Sequence, residues 1–391
     1  MRWAVVSGLG PNGMLATLAL LRAGWRVTAV EQRERYVRAI HLSLRQSFFD
    51  DVAAVDAGLA AALRSIASPI EKLEHVGGPT TAPRSVTLGP NASVRERLLQ
   101  PAVVHVPLDE LERCFALHLE ALARTHPLEI KRGVFDVDGA ADGPLSVRVG
   151  ADTLGTPDLI VVAEGGKSPT ARRLARTPVR LSSPKFYISV HVDHALGPVS
   201  RRLDSDVVVG GQRVGVSSWA TGHRDPAKGT WVVVEIPEAL HAGRGSQTFD
   251  RPYFDDVAVR LLGLSSPPAV TPGGFSGTFR FEQQLLLAPT AGTNLVFFGD
   301  AAGMGHHALG TGLELGACDL RALRDVVDGG PLSAYADAVR ASRVVLLAFG
   351  MREYDAGSAS VPLDVLEADL IDRVRHLGSD EGATSGGTHG R

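Results

Sequence analysis

Three sets of residues in this chain have types and spacings suited to chemistry. The first runs Gly299-Asp300-Ala301-Ala302, then through Gly303, Gly305, His306, His307, Gly310 and Gly312 to Leu313 and Glu314. Five glycines and one acid between Gly299 and Gly312 suit a negatively charged ligand. A backbone without Cβ atoms lets N–H groups approach such a ligand closely. Asp300 follows the apolar run Leu295–Phe298 and is placed to bind a hydroxyl-bearing group. Without a ligand, the same stretch would be a tight strand-to-helix turn.

The second set is Gly8-Leu9-Gly10-Pro11-Asn12-Gly13, with Glu31 at the end of the next apolar run. Strand, glycines, helix, strand and acid follow one another as in a dinucleotide fingerprint. Gly8 permits the tight turn, Gly10 lets the backbone approach a pyrophosphate, and Gly13 lets the helix pack on the sheet. Glu31 can accept hydrogen bonds from a ribose diol. Gln32, Arg33, Arg38 and Arg45 follow; a basic loop is usually solvated surface, but after such an acid these residues could also bind a pyrophosphate. The third set is the pair His306 and His307. Histidine titrates near neutrality, so either could donate a proton or hydrogen-bond a substrate. The alternative is that only their backbone acts.

Other residues carry less. His41, His105, His191, His194 and His223 are scattered and read as structural or exposed histidines. Trp219 and Trp231 read equally as pocket lining and as core. The two cysteines, Cys114 and Cys318, form no Cys-x-x-Cys, so neither a metal site nor a disulfide framework is expected.

The elements that must position these residues are readable from periodicity. Trp3–Ser7 and Arg26–Glu31 read as buried strands, with a helix from Met14 to Ala23 between them. Phe48–Ile66 reads as an amphipathic helix, and Pro107 opens another that runs to about Arg124. Strands are expected at Leu128–Val137, Leu145–Val149 and Leu159–Val162. From Phe186 the pattern changes to short β-runs, at Tyr187–Val192, Asp206–Val209, Arg213–Trp219 and Thr230–Ile236, separated by Gly- and Pro-rich turns. Leu313–Val327, Leu332–Arg343 and Leu363–His376 read as helices, and the tail from Gly378 as disordered. The fold class is therefore α/β: a Rossmann-like unit built from both ends of the chain, with an inserted antiparallel β-sheet and C-terminal helices.

The 391 residues are 44% hydrophobic and 21% charged, ordinary for a globular protein, and the net charge of -3 gives no footprint for nucleic acid. The N-terminus lacks the apolar region of a signal peptide. No apolar run reaches the ~18 residues that a membrane span needs. A soluble, cytoplasmic protein is expected, as monomer or homodimer.

Taken together, the motifs resemble the class A flavoprotein monooxygenases of the para-hydroxybenzoate hydroxylase type. The first family motif matches Gly8, Gly10, Gly13 and Glu31. The second matches Asp158 to Arg172, with Glu164-Gly165 where the family has Asp-Gly. The third matches Gly299-Asp300-Ala301-Ala302, with Gly310, Gly312, Gly316 and Asp319 at the family's spacing. Arg38 to Leu44 is also similar to the kynurenine 3-monooxygenase branch. The resemblance covers roughly residues 1 to 345. It implies a discontinuous FAD-binding domain (1–70, 98–180 and 276–330), a substrate-binding β-sheet domain (71–97 and 181–275), a helical segment (331–377) and a disordered tail (378–391).

The resemblance also implies a chemistry. Bound FAD would lie with its adenosine at Gly8–Glu31, its ribityl chain or pyrophosphate at Asp300, and its pyrimidine side at Gly310–Leu313. NADPH or NADH would act as a transient co-substrate. A flavin C4a-hydroperoxide would then oxygenate a hydrophobic or aromatic small molecule, by hydroxylation or epoxidation, in the manner of secondary metabolism. This chain departs from the family at Gly303, where many members have histidine, and at His306-His307, in place of two prolines. It departs also at Glu314, in place of asparagine, and at Leu108, in place of Arg or Gln. An ionised Glu314 beside a flavin carbonyl would be unfavourable, so it is expected to point away or stay protonated. A flavin-dependent reductase or halogenase on the same fold stays open, as does a non-redox FAD-containing cyclase or binding protein. Val232 and Val234 stand where a halogenase has tryptophans.

Overall fold

The fold is taken from a computed structural model. It describes residues 1–33, 40–84, 88, 92–140, 142–176, 178–180, 185–241, 250–305, 312–354 and 361–384. From the amino end the main elements are β1 (Trp3–Ser7), α1 (Pro11–Arg22), β2 (Arg26–Glu31), β3 (His41–Leu44), α2 (Gln46–Val55) and α3 (Ala57–Ile66). There follow β4 (Val104–Pro107), α4 (Leu108–Ala123), β5 (Leu128–Arg132), β6 (Leu159–Val162) and α5 (Pro169–Arg173). Next come β7 (Lys185–Val192), β8 (Val199–Val209), β9 (Gln212–Gly222), β10 (Thr230–Ile236), α6 (Arg251–Leu262) and β11 (Val270–Phe281). The last are β12 (Leu295–Phe297), α7 (Gly312–Val327), α8 (Leu332–Tyr354) and α9 (Leu363–Thr384).

β1 lies at the centre of a parallel sheet, paired on one side with β2 and on the other with β6, which in turn pairs with β12. β5 closes one edge, and the short antiparallel strand Thr290–Ala291 closes the other. Ala4, Val5 and Val6 are fully buried, as are Ile160, Val161 and Val162. Such uninterrupted apolar runs belong to strands covered on both faces, and helices α1 and α7 supply part of that cover.

A second sheet of seven strands has the order β11, β7, β10, β9, β8, then Lys72–His75 and Thr80–Thr81. β8 and β9 form a long hairpin whose two-residue turn, Gly210-Gly211, has positive φ at both positions. That is the turn geometry whose twist matches paired strands. Ile188, Val190, Val232 and Val234 bury one face of this sheet against α6. β3, β4 and Ser68–Pro69 make a small third sheet beside it. Among the described residues no helix is long and apolar enough to cross a membrane.

Several elements differ from the sequence reading. The helix expected over Phe48–Ile66 is two helices, because Asp56 adopts extended backbone (φ -153°, ψ 101°) and its carboxylate accepts the Leu59 N–H to start α3. The strand expected over Leu128–Val137 breaks at Gly133, whose positive φ turns the chain into Phe135–Asp138. β11 continues to Phe281, past the expected boundary at 275. The tail expected to be disordered from Gly378 is helical as far as Thr384. Glycine weakens a helix by about 1 kcal/mol but, unlike proline, does not stop it.

Candidate cofactor site

The first half of the site is the turn between β1 and α1. Gly8 has φ +90°, and a Cβ there would stand 2.6 Å from the Ala163 carbonyl oxygen. A Cβ on Gly13 would overlap the Gly8 carbonyl oxygen. Gly10 differs from both: a Cβ there would meet nothing within 4 Å. Gly10 is also the N-cap of α1, and no side chain caps that helix. Pro11 has no N–H, so the uncapped N–H groups at the positive end of the helix dipole begin at Asn12.

Glu31 ends β2 and is buried beside this turn. Its Oε2 accepts the Leu9 N–H at 2.9 Å and its Oε1 the Arg33 N–H at 2.8 Å. Burial works to raise its pKa, but these bonds and the Arg33 guanidinium outweigh it and hold the carboxyl below its ordinary value. Oε2, with one donor, keeps a lone pair for another. Arg33 leans back on Glu31, with Nε at 3.3 Å, and Gln32 is exposed.

The second half begins where β12 ends. Gly299 has φ +62° and starts a single 3-10 turn through Ala301. A side chain at Gly299, or at Gly316, would run into Asn12. Asn12 Nδ2 donates to the Gly312 carbonyl at 3.3 Å. One α1 side chain is thus wedged between the two glycine-rich stretches. The Asp300 carboxylate lies across from Gly312, at 3.4 Å from where a Cβ would be. Ala301 and Leu313 are buried in the core. Among the residues selected from sequence, His306, His307, Gly310 and Arg38 lie outside the described residues.

Below this turn lies an arginine that sequence reasoning missed. Arg343 of α8 is fully buried. It donates to Asp319 Oδ1 at 2.6 Å, to Asp319 Oδ2 at 2.8 Å and to the Gly299 carbonyl at 2.7 Å. Asp319 in turn accepts the Gly299 N–H at 2.8 Å. Burial opposes the charge on Arg343, but Asp319 more than compensates and holds the guanidinium above its usual pKa. Its signal in the sequence was a cation on the apolar face of α8, eight residues after the buried Tyr335 and four after the buried Val339.

The departures from the family pattern have local explanations. Glu164 accepts from Ser7 Oγ (2.6 Å), Ser168 Oγ (2.6 Å), Thr170 N–H (3.1 Å) and Thr170 Oγ1 (2.8 Å). It ties the end of β1 to the start of α5. Glu314 turns away from the loop toward the start of α2. There it accepts the Arg45 N–H at 2.7 Å and the Ser47 hydroxyl at 3.2 Å. Burial raises its pKa, against the pull of Arg45. The Arg45 side chain is directed to the Gln100 carbonyl at 2.7 Å. A Cβ at Gly303 would stand 2.9 Å from the Gln284 carbonyl and 3.1 Å from Arg343 Cγ, so a histidine has no room there. Leu108 is core.

The seven-stranded sheet turns a second face away from α6. On it Tyr187 stacks on Phe279 (ring centroids 5.6 Å apart, 28° between planes) and tilts against Trp219 at 5.9 Å. Trp231 donates to Ser189 Oγ at 2.6 Å. A recess of about 320 Å³ elsewhere is lined by Arg2, Trp25, Asp158 and Pro331, among others. It lies at the amino ends of the parallel strands, away from the glycine loops, and gathers none of the candidate cofactor or catalytic residues.

No protein-family model and no curated protein sequence matches the chain. Solved structures do. A probable FAD-dependent monooxygenase from Pseudomonas aeruginosa, PqsL, superposes with a TM-score of 0.65 at 19% identity, over 95% of this chain and 99% of that one. The p-nitrophenol 4-monooxygenase of Pseudomonas putida gives 0.62 at 17% identity, over 95% and 98%. A variant of 2-methyl-3-hydroxypyridine-5-carboxylic acid oxygenase gives 0.61 at 17% identity, over 94% and 93%. The chain has the fold of the class A flavoprotein monooxygenases.

Proposed function

We propose that the protein is an FAD-dependent monooxygenase that uses NADPH or NADH and O2 to oxygenate a hydrophobic or aromatic small molecule. The observation that carries this reading is the two-ended cradle around Asn12. The buried Glu31, the open space at Gly10 beside an uncapped α1, and the Asp300–Gly312 pair would correspond in turn to the ribose, the pyrophosphate and the hydroxyl-rich linker of an extended dinucleotide. The N–H groups of Gly10, Asn12 and Gly13 would hold the pyrophosphate, and Glu31 the adenosine ribose. Asp300, with Gly299 and Ala301, would hold the ribityl end, and Gly312 and Leu313 would present the α7 N-terminus to the flavin's pyrimidine edge. Arg33, Arg38, Arg45 and Gln32 are the polar residues assigned to the outer side of the cofactor. FAD, when bound, supplies hydride acceptance and oxygen activation. The protein's own contribution is to orient the substrate, exclude water and move protons, and His306 and His307 are assigned the last of these.

The aromatic face of Tyr187, Trp219 and Phe279 supports an aromatic or hydrophobic substrate. Packing against Gln284 and Arg343 accounts for the glycine at position 303, so Gly303 does not by itself favour the reductase alternative. The test is direct. The purified protein should carry yellow FAD, and NADPH or NADH with a suitable aromatic substrate should drive oxygen uptake and an oxygenated product. A protein that holds FAD which neither nicotinamide reduces, with its substrate present, would point instead to the non-redox alternative. A colourless protein that cannot be reconstituted would remove the flavin altogether.

A further inference from the structure

Four histidines that are distant in sequence meet where the small sheet of β3 and β4 packs on the seven-stranded sheet. His41 opens β3 and His105 lies in β4, while His191 is in β7 and His223 follows β9. The His41 ring lies 5.7 Å from that of His191 and 6.2 Å from that of His223, both edge-on. His105 is fully buried, and His41 and His223 are 5% and 6% exposed.

The hydrogen bonds of His41, His105 and His223 fit neutral rings. A charged imidazole must donate from both nitrogens. His223 Nδ1 is occupied as an acceptor for the Asp225 N–H at 3.0 Å. Among the described residues His41 Nδ1 and His105 Nε2 have no hydrogen-bond partner, and the other nitrogen of His105 faces Ser43 Oγ at 3.1 Å. His191 is held between Thr271 Oγ1 at 3.0 Å and the Lys228 carbonyl at 2.5 Å.

The charges around the seam offer little compensation. Glu110 of α4 is paired with Lys228, and Asp225 accepts the Ala227 N–H and sits beside Arg224. Among the described residues no group of three His, Cys, Asp or Glu is placed to hold a metal ion.

The geometry points to an acid-operated latch: proton uptake by His41, His105 and His223 parts the β3–β4 sheet from the seven-stranded sheet. Each added charge would be buried, would lack an acceptor and would repel its neighbours. Burial, with His191, His223 and Lys228 nearby, pushes His41 down to about 3. Burial also lowers His105 and His223, the latter against the pull of Asp225. The sign follows. An unfolded histidine titrates near 6.5, so over this range the opened chain binds more protons than the closed one. The latch is at full strength above about pH 6.5 and weakens as pH falls from there toward 3. β3 continues into Arg45, whose N–H is held by Glu314 at the first turn of α7, so opening would pull on the candidate cofactor loop. The latch itself does not depend on the cofactor.

Hydrogen exchange across a pH series, corrected for the pH dependence of the chemical step, tests this in the full chain. Protection of 41–44, 104–107, 185–192 and 219–230 should fall about tenfold or more between pH 6.5 and 4.5, while β1 and β6 stay protected. His41→Asn and His105→Gln, which cannot charge, should each move that onset to lower pH. The wild-type measurement stands even if a variant folds poorly. Loss of protection in the seam and the parallel sheet together, at one pH, would overturn the proposal, as would variants with an unmoved onset.

Discussion

Three glycines within six residues do different work, and substitution can separate them. Gly13 has no room for a methyl group because the Gly8 carbonyl occupies its place. Gly13→Ala is expected to lose at least about 1–3 kcal/mol of stability, as overpacked sites do, measured by urea unfolding. Gly10 faces open space and has backbone angles that alanine adopts. Gly10→Ala should therefore unfold at the wild-type temperature and yet bind FAD about tenfold more weakly, a loss of about 1.4 kcal/mol. Unchanged FAD affinity in that variant would remove the pyrophosphate from this loop. Asp56 gives a residue-scale test of pH. Burial works to raise its pKa, but the Leu59 N–H, His118 and Arg22 hold it at about 2. A carboxyl lowered in the fold stabilises above its unfolded pKa and ceases to do so as pH falls through the folded value. Asp56→Ala should be less stable by about 1 kcal/mol at pH 7, as a lost N-cap. The gap should narrow between pH 4 and pH 2, followed by thermal melting.

At the scale of elements, α7 and α8 support the Gly299 turn through one ion pair. Arg343→Met leaves Asp319 buried and unpaired, and is expected to lose about 3–5 kcal/mol in urea unfolding. Adding Asp319→Leu should recover much of that loss, because it removes the stranded charge. A single variant as stable as the double would show that the pair does not stabilise the turn. The same elements show what a sequence makes legible. Gly8, Gly10, Gly13 and Glu31 were readable because the turn, helix and strand that define them are adjacent in the chain. Asp56 was readable in principle as an N-cap, yet the apolar spacing on either side of it reads as one helix. Glu314 and Glu164 stood out as departures, but their partners lie at Arg45 and Ser47, and at Ser7, Ser168 and Thr170. The contacts to Arg45, Ser47 and Ser7 span more than a hundred residues and leave no periodicity to detect.

At the scale of the molecule, the four-histidine seam was invisible for the same reason. Residues 41, 105, 191 and 223 meet only after two sheets dock. The layered α/β plan was readable because apolar runs at 3–7, 27–30, 159–162 and 295–298 repeat the pattern of doubly covered parallel strands. The aromatic face was half readable: Trp219 was noted, while Tyr187 and Phe279 are brought to it by strand register.

Asn12 joins its partner Gly312 across a separation of 300 residues, and that gives the site a history as well as a shape. At typical synthesis rates the interval between making the two is roughly 15 to 60 s. Within it, from the synthesis of Val162 until that of Leu295, the edge of β6 that β12 will cover, at Ile160 to Val162, lacks its neighbour, and open strand edges are where chains adhere to one another. The proposed nucleotide site needs a chain whose synthesis has passed Gly316, so ribosome-bound chains stalled before that point should hold no FAD.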